Sequence, residues 1–454
     1  MSDLAQFISD WQPLLATLVG VAGLLFLIIV RRVNAFAALL VGALATGLMA
    51  GLSPPSVIDA VTNGFAGVLG FIAVIVGLGA LLGVYLEASG GASALARSII
   101  GNRPAGPAGI AMGFVGLIIA IPVFFDVGLI LLFPLVQALS KRAGKPALYF
   151  GLPLLAGLAT AHAFIPPTPG PVAVAEILSA QLGLVIICGL IAGIPAMLVA
   201  GPYYARLAEG RGWLETNAGS SAALVSEDTP QPDALQSLAL RAMAVLALPL
   251  ALIVLAAFAP MLGWQSEIVA FIGHPFVALM IGCALAAWIL RGDSEEDREK
   301  LRDGLTRAFE PTAVILLVTG AGGAFKQVLV DTGAGKLLAE SFLGAGITPI
   351  IAGFLLAAIV RVAQGSATVA MLTAAGLSAP IAAAAGLEGW DLARMVIAIA
   401  AGASIVSHVN DSGFWLVSRY FGLDAKQTLR TWTVASTLVG CVGFAVVLAL
   451  GLVL

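Results

Sequence analysis

Eight stretches of this chain are predominantly apolar over about twenty residues each: Leu14–Val30, Phe36–Leu52, Phe65–Leu86, Leu184–Tyr204, Leu238–Phe258, Val269–Leu290, Pro311–Val330 and Trp432–Leu454. About 20 such residues suffice to carry a helix across a bilayer. Two more crossings are interrupted, Leu148–Ala180 and Leu392–Tyr420. Two further apolar stretches, Pro107–Leu139 and Pro349–Ala385, have polar or proline-containing centres and read as re-entrant hairpins. Composition agrees. Of 454 residues 60% are hydrophobic and 10% charged, and mean hydropathy is +1.05, where a soluble domain is usually ~25% charged. The chain is a polytopic membrane protein.

Other classes are disfavoured. The net charge of −3 comes without a basic tract that would suggest nucleic acid. Cys188, Cys283 and Cys441 stand alone in apolar runs, so neither a disulfide framework nor a metal cluster is expected. The start, Met1-Ser-Asp-Leu-Ala-Gln, lacks the basic region of a cleaved signal. Gly90-Gly-Ala-Ser and the Gly77/Gly79 pair lack the Gly-Lys-Ser/Thr of a nucleotide loop, which argues against ATP-driven transport.

Lys and Arg orient the spans, being favoured on the cytoplasmic side. Arg31 and Arg32 place the first loop inside and the N-terminus outside. A hairpin at 107–140 entering from the cytoplasm keeps Arg97, Arg103, Lys141, Arg142 and Lys145 on that side; a single crossing would not. Arg206, Arg211, the segment Arg291–Arg307, and Arg419, Lys426 and Arg430 follow. The expectation is ten crossings and two hairpins with both termini periplasmic, leaving Lys326, Lys336 and Arg394 singly near the outer face. Glu87 and Glu176 fall near helix ends, and His274 precedes Pro275 near the outer boundary.

The chain also repeats itself. At an offset of 243 (Gly90 to Gly333), Gly77, Gly79, Leu86, Gly90, Leu95, Ala96, Ser98 and Gly101 meet Gly320, Gly322, Leu329, Gly333, Leu338, Ala339, Ser341 and Gly344. Both halves carry a hairpin and a broken helix in the same order, and the hairpins enter from opposite sides. That is an inverted repeat, and paired interruptions of this kind point to a transporter's binding site.

The interruptions hold the polar chemistry. The first tip reads Pro122-Val-Phe-Phe-Asp126. A carboxylate at bilayer depth is costly and marks function, so Asp126 is a candidate proton site, beside Phe125; a structural acceptor for the tip's N–H groups is the alternative. The second tip reads Arg361-Val-Ala-Gln-Gly-Ser366 and continues through Ala367 to Thr368. Arg361 offers a planar fork suited to a carboxylate, or else an internal ion pair to Asp126 or Asp411. Gln364, Ser366 and Thr368 can meet hydroxyl groups, and Gly365 allows a tight turn.

His162 and His408 precede the two breaks and could titrate near neutral pH. Pro166-Pro-Thr-Pro-Gly-Pro171 cannot be regular helix and leaves carbonyls free beside Thr168. Asn410-Asp-Ser-Gly413 offers side chains instead: Asn410 and Ser412 for hydroxyls, Asp411 as a second proton or cation site. No metal or other cofactor is expected.

The Phe-Phe-Asp126 tip, Ala161-His-Ala-Phe-Ile-Pro-Pro-Thr-Pro-Gly-Pro171, Arg361-Val-Ala-Gln-Gly-Ser-Ala-Thr368 and Ser407-His-Val-Asn-Asp-Ser-Gly413 resemble the gluconate permease family of bacterial proton symporters over nearly the whole chain. The resemblance implies a secondary transporter of gluconate, a related sugar acid or D-serine. It also implies a homodimeric, elevator-type architecture in the inner membrane, with tips and breaks forming the site.

The expected layout is as follows. N-terminal scaffold helices occupy 1–64 and the first repeat 65–205, with hairpin 107–140 and broken helix 148–180. A cytoplasmic connector (206–236) and scaffold helices (237–308) follow, then the second repeat (309–425), with hairpin 347–385 and broken helix 392–420, and a C-terminal helix (426–454). Sodium coupling, and more remotely an intramembrane enzyme using Asp126 and Asp411 as paired acids, are the competing expectations.

Overall fold

A computed structural model describes residues 2–214, 232–264, 266–291, 295–333, 347–409 and 411–453. Asn410, Lys336, most of the connector, and the repeat positions Leu338, Ala339, Ser341 and Gly344 lie outside the described residues. Among those described, every regular element is helical.

In the first half these are α1 (Ser2–Ile29), α2 (Ala35–Met49), α3 (Pro54–Ala88), α4 (Gly91–Ile100), α5 (Ala105–Ile119), α6 (Phe125–Ala143), α7 (Ala147–Phe164), α8 (Pro169–Leu178), α9 (Leu182–Leu198) and α10 (Tyr204–Gly210). Next come α11 (Pro232–Phe258), α12 (Glu267–Ile272), α13 (Pro275–Ile289), α14 (Glu295–Arg307) and α15 (Glu310–Asp331). The last six are α16 (Pro349–Gln364), α17 (Ala367–Ala384), α18 (Gly389–Ser404), α19 (Ser412–Phe421), α20 (Ala425–Thr428) and α21 (Val434–Leu450). Among the described residues, seven helical runs are long and apolar enough to cross a membrane, and five shorter apolar helices accompany them.

Of the expected spans whose bounds differ, two have a visible local cause. The third begins at Pro54 rather than Phe65, because Ser53 caps it and proline stands in its first turn. Asp59, Thr62 and Asn63 hide this first stretch from a hydropathy reading. The expected span Val269–Leu290 is two helices, α12 and α13, divided at Gly273-His-Pro275. There the His274 ring accepts the Phe276 N–H at 3.4 Å and begins α13 as its cap.

α7 is buried on every side, from Leu148 to Phe164 almost without exception, as expected for a helix apolar all round. α18 is buried over most of its length as well. These two helices lead into the two breaks, so both breaks are held by the most enclosed part of the fold. α5 lies along α7, α16 along α18, and α17 against α8 and α15, while α3 runs beside α15.

Small residues set these distances. A Cβ on Gly157 would stand 2.1 Å from the Gly113 carbonyl oxygen, and one on Gly116 2.4 Å from that of Leu154. Backbone meets backbone where α5 and α7 cross, the close approach that small residues permit in membranes. Gly157→Ala is therefore expected to lower the detergent unfolding midpoint, overpacking here costing about 1–3 kcal/mol. Gly67→Ala, with nothing within 4 Å of the added carbon, is expected to leave the midpoint unchanged.

Candidate functional site

Four helices begin at the interruptions: α6 and α17 at the hairpin tips, α8 and α19 at the breaks. A helix start carries unsatisfied N–H groups and a partial positive charge, which suits an anion. At α17 the Ser366 hydroxyl caps the Val369 N–H at 3.3 Å, and at α19 the Asp411 carboxylate caps the Gly413 N–H at 3.0 Å. α6 and α8 start at Phe124 and Thr168 without a side-chain cap; in the first turn of α8 only Gly170 carries an N–H, since Pro169 and Pro171 have none.

The first break follows from its prolines. Ile165 is extended, and Thr168, Pro169 and Gly170 restart the helix as α8. The Thr168 hydroxyl donates to the Ile165 carbonyl at 2.6 Å, repairing one acceptor that the prolines leave behind.

The second break is tied to α21 and the turn before it. Val406 adopts a φ of +48°, a costly state for a β-branched residue. Its N–H donates to Thr437 Oγ1 at 3.0 Å, and the Ser407 N–H to Ser436 Oγ at 3.2 Å. The Trp432 indole N–H donates to Ser407 Oγ at 2.7 Å, and the Thr433 hydroxyl to the Ser407 carbonyl. Ser407 in turn donates to Asp411 Oδ2.

Between these parts lies a cavity of about 570 Å³, within the ~300–1,000 Å³ typical of small-molecule sites. Phe125, Asp126 and His162 line it from the first half. Arg361, Gln364, Gly365, Ser366, Thr368, Asp411 and Ser412 line it from the second.

Arg361 is 4% exposed, and its Nη2 lies 2.5 Å from Asp411 Oδ2. Its Nη1 donates to the Gly365 carbonyl, while its buried Nε has no partner among the described residues. Of the two internal partners expected for Arg361, the structure selects Asp411. Asp126 stands in the first turn of α6, is exposed, and among the described residues makes no ion pair.

Gly365 holds φ at +90°, which turns the tip. Gln364 accepts the Ser366 N–H at 2.9 Å, leaving its amide N–H₂ for another partner. Of the remaining expected residues, Thr168 lines a narrow neck beside the cavity rather than the cavity itself. His162 lines both, with its Nδ1 buried and unpartnered. His408 stands apart from both, its Nε2–H donating to the Val362 carbonyl at 2.8 Å. Among the described residues no three His, Cys, Asp or Glu side chains come together.

Sequence reasoning missed Trp432, Ser436 and Ser404, which also line the cavity. The Trp432 and Phe125 rings face each other at 5.4 Å. Trp432 sits in a π-turn, Leu429–Thr433, within the run from α20 to α21. Such turns often mark functional positions, but they leave no signature in hydropathy.

A cavity at paired helix interruptions, among described elements that are all helical and include seven runs apolar enough for a bilayer, is the arrangement of a multi-pass membrane transporter. The chain belongs to the GntP family permeases, whose sequence model matches residues 12–453.

It is 37% identical over 435 residues to a low-affinity gluconate transporter of Escherichia coli, covering 95% of this chain and 96% of that one. A gluconate permease of Pseudomonas aeruginosa is 36% identical, covering 98% of this chain and 99% of its own. The Gnt-II system L-idonate transporter of Escherichia coli is 36% identical, covering 98% of this chain and 100% of its own. In fold, the chain is similar to the Neisseria gonorrhoeae MtrF efflux pump, with a TM-score of 0.62, 15% identity, and 91% and 93% of the two chains covered. The Alcanivorax borkumensis YdaH transporter gives a TM-score of 0.61 at 17% identity, covering 88% and 89%.

Proposed function

We propose that this chain is a proton-coupled symporter that imports gluconate or a closely related sugar acid across the bacterial inner membrane. The observation that carries this reading is the charge inventory of the cavity: one arginine faces two carboxylates, Asp126 and Asp411, among four helix starts. Helix N–H groups and the Arg361 fork suit a carboxylate. The two acids leave a net charge of about −1, so an anion entering alone meets repulsion. One proton arriving with it cancels the added charge. Relatives that carry gluconate and L-idonate supply the substrate class.

The substrate carboxylate and Asp411 compete for Arg361. Protonating Asp411 frees the guanidinium, and Ser407 and the Gly413 N–H hold the neutral side chain in place. Asp126, with no ion-pair partner among the described residues, is the second group able to take the proton. Gln364, Ser366, Thr368 and Ser412 meet the sugar hydroxyls. Gln364→Leu is accordingly expected to raise the KM for gluconate about ten-fold, the worth of one or two hydrogen bonds, and to leave kcat within about two-fold. Uptake kinetics read both.

The alternating-access reading rests on an inverted repeat. α3 and α15 end at Ala88 and Asp331, each followed two residues later by a glycine with a φ of +69°. α8 and α19 are each ten residues long and start at Pro169 and Ser412. All these positions keep the 243-residue offset. Two such units moving against scaffold helices is the arrangement this supports; both termini periplasmic follows from the placement of Lys and Arg, and a dimer from the family resemblance.

Uptake into proteoliposomes with an inward proton gradient and no sodium tests the function. Uphill gluconate accumulation that a protonophore abolishes is the expected result. Accumulation of D-serine instead would replace the substrate, and accumulation only with sodium would replace the coupling ion.

A further inference from the structure

Trp432 is 4% exposed, lines the central cavity and belongs to neither hairpin. It stands in the turn Leu429–Thr433 ahead of α21. Its ring rests on Phe125 of the first tip, with centroids 5.4 Å apart, and its indole N–H reaches Ser407 of the second break at 2.7 Å. One side chain therefore touches both halves of the site, and the ring contact fixes the direction of its N–H.

Trp432, Thr433, Ser436 and Thr437 stand at the spacing of one helix face, and all four meet the second break. Three of them hold its backbone. Thr437 and Ser436 accept the Val406 and Ser407 N–H groups, and Thr433 donates to the Ser407 carbonyl. Trp432 binds Ser407 Oγ instead. The Ser407 backbone is thus pinned without the indole, which acts on the hydroxyl.

An indole N–H only donates, and a hydroxyl has one proton and two lone pairs. With Trp432 on one lone pair, Ser407 cannot turn its proton that way, and the proton goes to Asp411 Oδ2. The same oxygen faces Arg361 Nη2 at 2.5 Å. When a substrate carboxylate takes Arg361, Asp411 loses a charged donor, the strong kind. A hydroxyl already turned toward Asp411 offsets part of that loss.

We propose that Trp432 is a positioning residue for substrate binding: its indole N–H turns the Ser407 hydroxyl toward Asp411, so that Asp411 keeps a donor when the substrate carboxylate takes Arg361. The proposal rests on the reading above, in which the substrate and Asp411 compete for Arg361. Without the indole, Asp411 holds Arg361 more firmly against the substrate.

Uptake kinetics in proteoliposomes test this. Trp432→Phe keeps an aromatic ring beside Phe125 and removes the N–H. It is expected to raise the KM for gluconate about five-fold, the worth of one hydrogen bond, with kcat within about two-fold. Ser407→Ala removes the relay with the indole in place and is expected to do the same. The double variant should stay near five-fold rather than reach about 25-fold, because members of one hydrogen-bonded chain are not additive. Trp415→Phe is the control. It removes an indole N–H that holds the Val409 carbonyl of the same break at 2.9 Å, and its KM is expected to match that of the unaltered chain.

An unchanged KM in either single variant overturns the relay. So does a double variant near 25-fold, which is the result if the ring meets substrate independently of Ser407. A KM for Trp415→Phe that rises as far as that for Trp432→Phe also overturns it, by making a loosened break the cause. Ser407→Ala leaves the indole packed, so the relay stands or falls on it where Trp432→Phe fails to fold. Failure of the unaltered chain to carry any sugar acid would instead overturn the transport reading beneath, so the two failures are distinguishable.

Discussion

Arg361→Met is expected to abolish uphill gluconate uptake and to destabilise the protein in the same stroke. The guanidinium sits 2.5 Å from Asp411, with 5% and 13% of the two side chains exposed. Removing one member of a buried pair leaves the other charge uncompensated, at a cost of about 3–5 kcal/mol. Asp411 keeps Ser407 and the Gly413 N–H, but neither neutralises it. The unfolding midpoint in detergent should fall clearly.

The double replacement Arg361→Met/Asp411→Asn separates the two roles. With no charge left to strand, the midpoint should return most of the way. Transport should stay absent, because the fork that meets the substrate is gone. A double variant that regained uptake together with stability would make Arg361 a structural residue only. Full uptake by the single variant would remove it from the mechanism altogether.

Asp126→Asn is expected to act in the opposite pattern: little change in stability, a collapse of accumulation. Asp126 is exposed in the cavity and has no ion-pair partner among the described residues, so its replacement strands nothing. Such changes usually stay within about 0.5 kcal/mol. One proton per substrate yields up to ~100-fold accumulation from a gradient of about 2 pH units, at 1.36 kcal/mol per unit. The asparagine variant should lose that accumulation yet still exchange internal for external gluconate, since the amide resembles the protonated acid. Both are read in one set of vesicles, by net uptake and by counterflow. Wild-type accumulation in the variant would transfer the proton to Asp411 or His162.

The interruptions were legible because their causes are local. Pro166 and Pro167 follow the end of α7, and Pro169 opens α8 at a position where a missing N–H costs nothing. Gly365, at a φ of +90°, turns the second tip for a reason visible in its own residue type. The helices themselves were legible as runs of apolar residues, except where polar first turns masked the start of α3.

The histidines show where local reading stops. His162 and His408 each precede the residues that restart a helix, yet His162 lies within α7 and faces the cavity, while His408 lies past the end of α18 and donates to the Val362 carbonyl. Trp432, Ser436 and Ser404 carried no signal, being ordinary residues of apolar helices until the second break is laid against α21.

By itself, the sequence determined that this chain lives in a bilayer, where its helices break, and which polar residues stand at the breaks. Those properties are sums over neighbours along the chain, set by hydropathy and backbone geometry. Only the tertiary structure decided that Arg361 pairs with Asp411 and not with Asp126, and that Trp432 binds Ser407 of the second break while its ring meets Phe125. An ion pair spanning fifty positions depends on how α16 and α18 pack and on where a strained Val406 is pinned. Packing of that kind is decided by contacts among all the helices at once.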